Sequence, residues 1–380
     1  MPLITAGAVA LEQGICRPGW VEVSGGQIVG CGSGRPPRPA DVDMPEALVV
    51  PGFVDIHVHG GGGASYTDGD TTDVLHAAMF HRGHGTTTTL ASLVTASPAD
   101  LLTAVGALAD STRAGTVAGI HLEGPWLSAA RCGAHDPAQL RDPAPAEIDA
   151  LLTAGDGAIR MVTLAPERVG SDDAITRFAD AGVVVAVGHT DATYEQTRHA
   201  VELGATVGTH LFNAMRPVHH REPGPVIALL EDARVTVELI ADGVHVHPAV
   251  QRTVIDAAGA DRVALVTDAT AAAGLGDGEF RLGAMQVDVV KQVARVRGTS
   301  TIAGSTATMD QLFRAAAGLG SDRDAALAAA VQMTSTTPSR LLGLDHVGSL
   351  RTGAHANLVV LEWDLQVTRV MIDGEWHAHP

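Results

Sequence analysis

His57 and His59 close a short apolar run, and residues two apart on an extended strand face the same side, so both imidazoles can reach one ion. Each of four later apolar runs also ends in a group with metal or proton chemistry. These are Glu123 in His121-Leu122-Glu123-Gly124-Pro125, His189 in Gly188-His189-Thr190, His210 after Thr209, and Asp268 after Thr267. Taken singly, a histidine in such a run is most often an ordinary core or surface residue. Their joint recurrence at run ends is not explained that way, because a buried carboxylate is costly without a partner. Imidazoles with carboxylates suit Zn²⁺, Fe²⁺ or Mn²⁺, whereas Ca²⁺ takes oxygen ligands alone. The chemistry such an ion offers is hydrolysis by an acidified water.

The elements that must position these groups follow one cadence from about residue 50 to 270: apolar run, polar loop, Ala-rich helical stretch. Eight strands are predicted, 53–59, 86–94, 117–123, 160–164, 183–189, 206–211, 235–240 and 263–268, with helices over 71–82, 98–109, 172–181 and 193–203 between them. Eight βα units predict an α/β fold, a closed (β/α)₈ TIM barrel, in which catalytic groups sit at the C-terminal strand ends. Residues 1–50 and 345–380 carry short alternating runs broken by glycine and are expected to pair as one small β-sandwich domain beside a barrel of residues 51–344. Two more helices are expected within 304–343, with Ser305 capping the first.

Composition narrows the partners. The charge sum of 25 basic against 43 acidic residues is −18, and six Phe, four Trp and two Tyr leave few stacking platforms, so nucleic acid is excluded as a partner. Lys291 is the sole lysine, which rules out a P-loop. Three cysteines, Cys16, Cys31 and Cys132, without C-x-x-C spacing give neither a disulfide framework nor a structural zinc site. No apolar run approaches a membrane span, and the N-terminus lacks a basic region leading into one, so a cytoplasmic protein is expected. His219, His220, His247, His377 and His379 are read as surface residues, and Gly60 to Gly63 as a flexible active-site loop.

With these residues in place, the sequence resembles the amidohydrolase superfamily. Within it, His121 to Trp126, Gly188-His189-Thr190, His210-Leu211-Phe212-Asn213-Ala214-Met215, Arg221-Glu222-Pro223-Gly224 and Thr267 to Thr270 are similar to the N-acetylglucosamine-6-phosphate deacetylase family across essentially the whole chain. The resemblance implies removal of the acetyl group from N-acetyl-D-glucosamine 6-phosphate, giving acetate and D-glucosamine 6-phosphate in amino-sugar catabolism and cell-wall sugar recycling. It implies a divalent metal, zinc first with iron or another divalent ion as alternatives, at one or two ions per subunit. Glu123, His189 and His210 would hold the principal ion; His57 and His59, with Glu123 as bridge, a second. Asp268 matches the general base, and His245 the histidine that polarises the acetyl carbonyl. His135 matches a substrate-binding residue, Asn213 and Ala214 backbone donors to the phosphate, and Arg221 a phosphate ligand supplied by the partner subunit of a homodimer. Thr301 to Met309 resembles a loop over the sugar, and Cys132 is read as a thiol without a catalytic part. A cyclic amidase of the dihydroorotase or hydantoinase kind would share the barrel and His-x-His, but the strand-four lysine that bridges its metals is missing. A catalytically dead sugar-phosphate sensor is disfavoured because every expected ligand and Asp268 are present.

Overall fold

Eight parallel strands are hydrogen-bonded in sequence order into one sheet: Phe53–Asp55, Thr86–Leu93, Gly119–Glu123, Ile159–Leu164, Val184–Val187, Ala205–Gly208, Thr236–Leu239 and Val263–Leu265. They come from a computed structural model, which describes residues 2–67 and 69–377, so His379 lies outside the described residues. The sheet curls into a nearly closed TIM barrel. Its first and last strands meet through the segments just beyond them, where the Asp268 N–H donates to the His57 carbonyl at 2.9 Å and the His59 N–H to that of Ala269 at 2.8 Å. The strands are almost wholly buried, as parallel strands covered by crossover helices must be.

Helices Thr71–Gly83, Pro98–Arg113, Pro145–Gly155, Ser171–Asp180, Tyr194–Leu203, Gly224–Glu231 and Pro248–Ala258 follow the first seven strands in turn. Their starts are written locally. Ser97 accepts the Asp100 N–H, and Thr193 with Gln196 forms a reciprocal capping box.

After the eighth strand comes a three-stranded antiparallel meander that the sequence reading did not anticipate: Gly278–Leu282, Met285–Val290 and Val293–Val296. It packs Leu282, Val287, Val289, Ala294 and Val296 against Val94, Ala134 and Ala303. Its second turn is the two-residue Lys291-Gln292 pair, both at positive φ (52° and 62°). That is the geometry of a hairpin turn normally signalled by Asn-Gly, and neither residue carries the signal.

The chain ends build a separate eight-stranded mixed sheet. Val42–Pro51 pairs antiparallel with Leu358–Leu361, opposing Val49 to Val360, and this joins the N- and C-terminal pieces. At the far side the Ile28 N–H reaches the Ala354 carbonyl at 2.8 Å. The folded sheet encloses Ile4, Val9, Val21, Ile28, Val49, Leu358 and Met371. By compactness the chain forms two units, Met1–Asp55 with Met79–Thr88 and Thr308–Pro380, and Ile56–Ala78 with Thr89–Ala307. The helical segment expected within 304–343 comprises Met309–Ala317, Arg323–Val331, one π turn at Gln332–Thr336, and Thr337–Leu341. Thr308, not Ser305, caps its first helix through a capping box with Gln311.

In the first unit Asp310 is buried, accepting from Thr308 Oγ1 at 2.5 Å and Arg314 Nη1 at 2.9 Å, with His84 Nδ1 at 3.2 Å. Burial works to raise its pKa, but the hydrogen bonds from His84 and Thr308 outweigh it and hold the carboxyl at about 2. Because the folded value lies below the unfolded one, this stabilisation, about 2 kcal/mol, is complete above about pH 4 and disappears as pH falls toward 2. Asp310→Asn should therefore lower urea-unfolding stability by about that amount near neutrality and by about half as much at about pH 3. An equal loss at both pH values would refute the account.

Candidate active site

The five chemistry-bearing strand ends converge in the second unit, each side chain lying in or just past the last hydrogen-bonded residue of its strand. Glu123 is the final residue of the third strand; His57, His59, His189, His210 and Asp268 come two to four residues after theirs. At His189, His210 and Asp268 the backbone turns left-handed, with φ of 47°, 26° and 47°. Non-glycine residues take that conformation at a cost, and such costs are found where a side chain must be aimed.

Glu123 is the centre. Its Oε1 stands 3.0 Å from both His189 Nε2 and His210 Nε2, which are 3.1 Å from each other, so three donor atoms form a near-equilateral triangle. Its Oε2 lies 3.1 Å from His59 Nε2, and His57 Nε2 is 3.4 Å from Oε1. Donors that share a first-row ion at about 2.0 to 2.2 Å stand roughly 3 to 3.5 Å apart, so the spacing fits.

The tautomers fit as well. His59 Nδ1 meets the Ser92 carbonyl at 3.1 Å and His189 Nδ1 the Arg131 carbonyl at 3.0 Å. A carbonyl only accepts, so each ring carries its proton on Nδ1 and turns the Nε2 lone pair inward. Inward lone pairs crowded round buried carboxylates call for a cation. Burial opposes charge on His59, but hydrogen bonds with Asp268 and Glu123 prevail and raise its pKa to about 9. His57, also buried, is raised well above its ordinary value by Glu123, Glu238 and Asp268. Residues His57, His59, Glu123, His189, His210 and Asp268 thus form a constellation fit for a divalent metal.

His135 is different. Its Nδ1 accepts the Thr95 N–H at 3.2 Å, so the neutral ring carries a proton on Nε2, 3.4 Å from Glu123 Oε2. Burial, more than the opposing Glu123 charge, lowers its pKa to about 4. It is a hydrogen-bond donor at the cavity wall, not an inward lone pair.

Asp268 Oδ1 is 3.1 Å from His59 Nε2 and 3.5 Å from His57 Nε2. Burial alone would raise its pKa; the charge of His57 and the hydrogen bond from His59 instead hold it at about 2, as a carboxylate able to take a proton at neutral pH. His245 Nδ1 donates to Asp242 Oδ2 at 2.7 Å, and Asp242 Oδ1 accepts the His245 N–H at 2.8 Å. Burial opposes charge on His245, yet the Asp242 bond raises its pKa. When doubly protonated, the ring keeps an Nε2–H for another acceptor. Glu123, His59, His135, His189, His210, His245 and Asp268 line one cavity of about 420 Å³ with Asn213, Ala214 and Ser300 to Ile302.

The amidohydrolase family model matches residues 48–377, most of the chain. The chain belongs to the amidohydrolase family. N-acetylglucosamine-6-phosphate deacetylase of Danio rerio is 39% identical to it, over 88% of this chain and 85% of the relative. N-acetylgalactosamine-6-phosphate deacetylase of Escherichia coli O157:H7 is 38% identical, over 89% and 90%. A mutant of N-acetyl-D-glucosamine-6-phosphate deacetylase from Mycobacterium smegmatis, solved in complex with N-acetyl-D-glucosamine-6-phosphate, superposes with a TM-score of 0.97 at 55% identity, covering 99% of this chain and 98% of that one.

Not every expected site residue of this amidohydrolase reaches the cavity of its own chain. Arg221 is exposed, with Nη1 2.7 Å from His220 Nε2, and lines a separate pocket with Tyr194 and Arg216. Cys132 lies between Arg131 and Gly133, which do line the cavity, and is not itself among the described lining residues. Gly60 to Gly63 form a tight hairpin pinned by the Ala269, Ala271 and Ala273 carbonyls at 2.8 to 3.1 Å, so the expected flexible loop is a tied turn. Ser305 donates to the Thr267 carbonyl at 2.5 Å, and its N–H to that of Asp268 at 2.7 Å; with Gly304 it braces the eighth strand end. His219, His220 and His247 are exposed and His377 is half-buried.

The sequence reading missed two residues of this amidohydrolase. Arg131 supplies the carbonyl that orients His189 and is itself tied to Asp191 at 2.9 Å. Glu238, in the seventh strand, is fully buried with Oε2 3.0 Å from His57 Nδ1. An acid inside Val237-Glu238-Leu239-Ile240 was the available signal, since burial of a carboxylate without purpose is costly.

Proposed function

We propose that this amidohydrolase removes the acetyl group of N-acetyl-D-glucosamine 6-phosphate, giving acetate and D-glucosamine 6-phosphate in amino-sugar metabolism. The observation that carries the reading is the meeting of the Glu123, His189, His210 triangle with ionised Asp268 in one cavity. In it Glu123, His189 and His210 would hold the principal divalent ion, zinc first, and His57 and His59, with Glu123, would hold a second. When bound, the metal acidifies the attacking water from a pKa of about 15.7 toward about 7 and polarises the acetamide carbonyl.

Asp268 takes the water proton as the new C–O bond forms and gives it to the sugar nitrogen as the C–N bond breaks. His245, whose protonated form Asp242 favours, donates to the carbonyl oxygen as negative charge develops there. His135 donates through Nε2–H to a substrate oxygen, and Ser300 to Ile302 cover the sugar. Left-handed φ at His210, Phe212 and Ala214 (26°, 76° and 49°) alternates along the segment, a pattern that gathers backbone N–H groups toward an anion, so Ala214 receives the phosphate, joined by Asn213 once its N–H leaves the His210 carbonyl, to which it donates at 3.0 Å.

Arg221, too far out to line its own cavity, serves that phosphate from the partner subunit of a homodimer. The protein works in the cytoplasm; among its described residues no helix is long and apolar enough to cross a membrane. A charge-assisted hydrogen bond is worth roughly 1.5 to 3 kcal/mol, so Arg221→Ala should lower kcat/KM for the phosphorylated sugar about 10- to 100-fold and scarcely change the poor rate on N-acetylglucosamine. Equal losses on both substrates would assign Arg221 a structural part. Mixing Arg221→Ala with Asp268→Asn subunits should restore activity in hybrid dimers, and no recovery in verified hybrids would exclude action in trans.

The deciding experiment measures acetate release from N-acetylglucosamine 6-phosphate, its C4 epimer N-acetylgalactosamine 6-phosphate, and unphosphorylated N-acetylglucosamine, alongside metal content. The first substrate should be preferred. No acetate release from a metal-loaded protein would overturn the proposal.

A further inference from the structure

We infer that Glu238 is the residue that positions His57 and His210 together, making the His57 ring a strong metal donor and so fixing the ion held by the first-strand histidines. The inference rests on the metal-centre reading above and gives Glu238 no contact with substrate.

The geometry is specific. Glu238 projects from the seventh strand, fully buried, and reaches residues just past the ends of the first and sixth. Its Oε2 accepts His57 Nδ1–H at 3.0 Å and the His210 backbone N–H at 3.1 Å. One carboxylate oxygen thereby fixes the ring tautomer of one ligand and the left-handed backbone of another, whose φ of 26° is otherwise unfavourable. Glu238 Oε1 has no hydrogen-bond partner among the described residues. A buried carboxylate with one bare oxygen is retained only where its charge has an object.

His57 is set apart by this contact. His59 and His189 lean on neutral carbonyls, of Ser92 and Arg131, and His210 Nδ1 has no hydrogen-bond partner among the described residues. A carboxylate behind an imidazole raises its basicity as a ligand, and losing such a partner typically costs about 10- to 100-fold in metal affinity. Charge points the same way. Glu123, Glu238 and Asp268 are three buried carboxylates in one cluster. A single divalent ion leaves one of their charges uncompensated, and a second ion at His57 and His59 covers it with one positive charge over.

The test uses the whole purified protein and zinc, titrated against a chelator, with ions per chain counted. Glu238→Gln keeps one oxygen able to accept both N–H groups but removes the charge. It should weaken the first-strand ion about 10- to 100-fold and leave the Glu123, His189, His210 ion unchanged. Glu238→Ala, which loses both contacts, should weaken the two ions together. Zinc affinity at the first-strand site unchanged from the unmutated protein in Glu238→Gln would overturn the inference. So would unmutated protein that takes up one ion per chain at saturating zinc, and in that case acetate release would show whether the deacetylase reading still stands. Should Glu238→Gln not fold, the imidazole proton spectrum of the unmutated zinc protein decides instead. An exchange-protected, strongly downfield Nδ1 proton that vanishes in His57→Gln supports the inference, and its absence overturns it.

Discussion

Asp268→Asn should leave a folded, metal-loaded protein that binds its sugar phosphate normally and turns it over about 10²- to 10⁴-fold more slowly. The amide is nearly isosteric with the acid and keeps an oxygen in the place of Asp268 Oδ1, 3.1 Å from His59 Nε2. It cannot accept a proton from water or return one to an amine. Asp268 is the group in the cluster placed and ionised for both transfers, at the end of the eighth strand where Ser305 and Gly304 brace its backbone. The effect should appear in kcat with KM little changed, because the loss falls on bond making and breaking rather than on holding the sugar. A kcat within a few-fold of the unmutated protein would exclude Asp268 as the base.

Glu123→Gln should strip most of the bound metal and with it nearly all activity. Glu123 presents Oε1 to His189 and His210 and Oε2 to His59, so both oxygens are committed to the centre. Glutamine must turn its NH₂ toward one side, where a donor hydrogen meets the space a cation needs, and it brings no negative charge to attract one. Loss of a direct carboxylate ligand should exceed the roughly 10- to 100-fold cost of losing an outer partner. The fold should survive, because the NH₂ can donate to an imidazole that lacks its metal. Unchanged zinc content, read by elemental analysis beside a thermal melt, would sink the assignment.

Much of this centre was legible in the sequence because strand ends in a βα barrel sit at predictable intervals and the apolar runs are unambiguous. All eight expected strands form, within a few residues of their expected limits, and His57, His59, Glu123, His189, His210 and Asp268 converge. What stayed hidden was carried by geometry with no marker in residue type. The Lys291-Gln292 turn takes positive φ without the residues that usually announce it, so the meander around it went unread. Glu238 looked like one residue in an apolar strand, and its meaning depends on His57 and His210, which approach from strands distant in sequence. Ser305 looked like a helix cap because it precedes a helix, while its hydroxyl donates backward to Thr267.

The left-handed backbone at His189, His210 and Asp268 bears on how this protein can be engineered. Each such residue costs of order 1 kcal/mol relative to glycine, which adopts the same φ freely. A campaign that selects only for heat resistance therefore meets a built-in reward for erasing the centre, since glycine at any of the three relaxes the chain while removing a ligand or the base. Stabilising changes elsewhere carry no such conflict: the terminal sheet, and helix ends and loops remote from the cavity, are free to be optimised. A library sorted on melting temperature will drift toward robust, inert variants unless turnover is scored in every round.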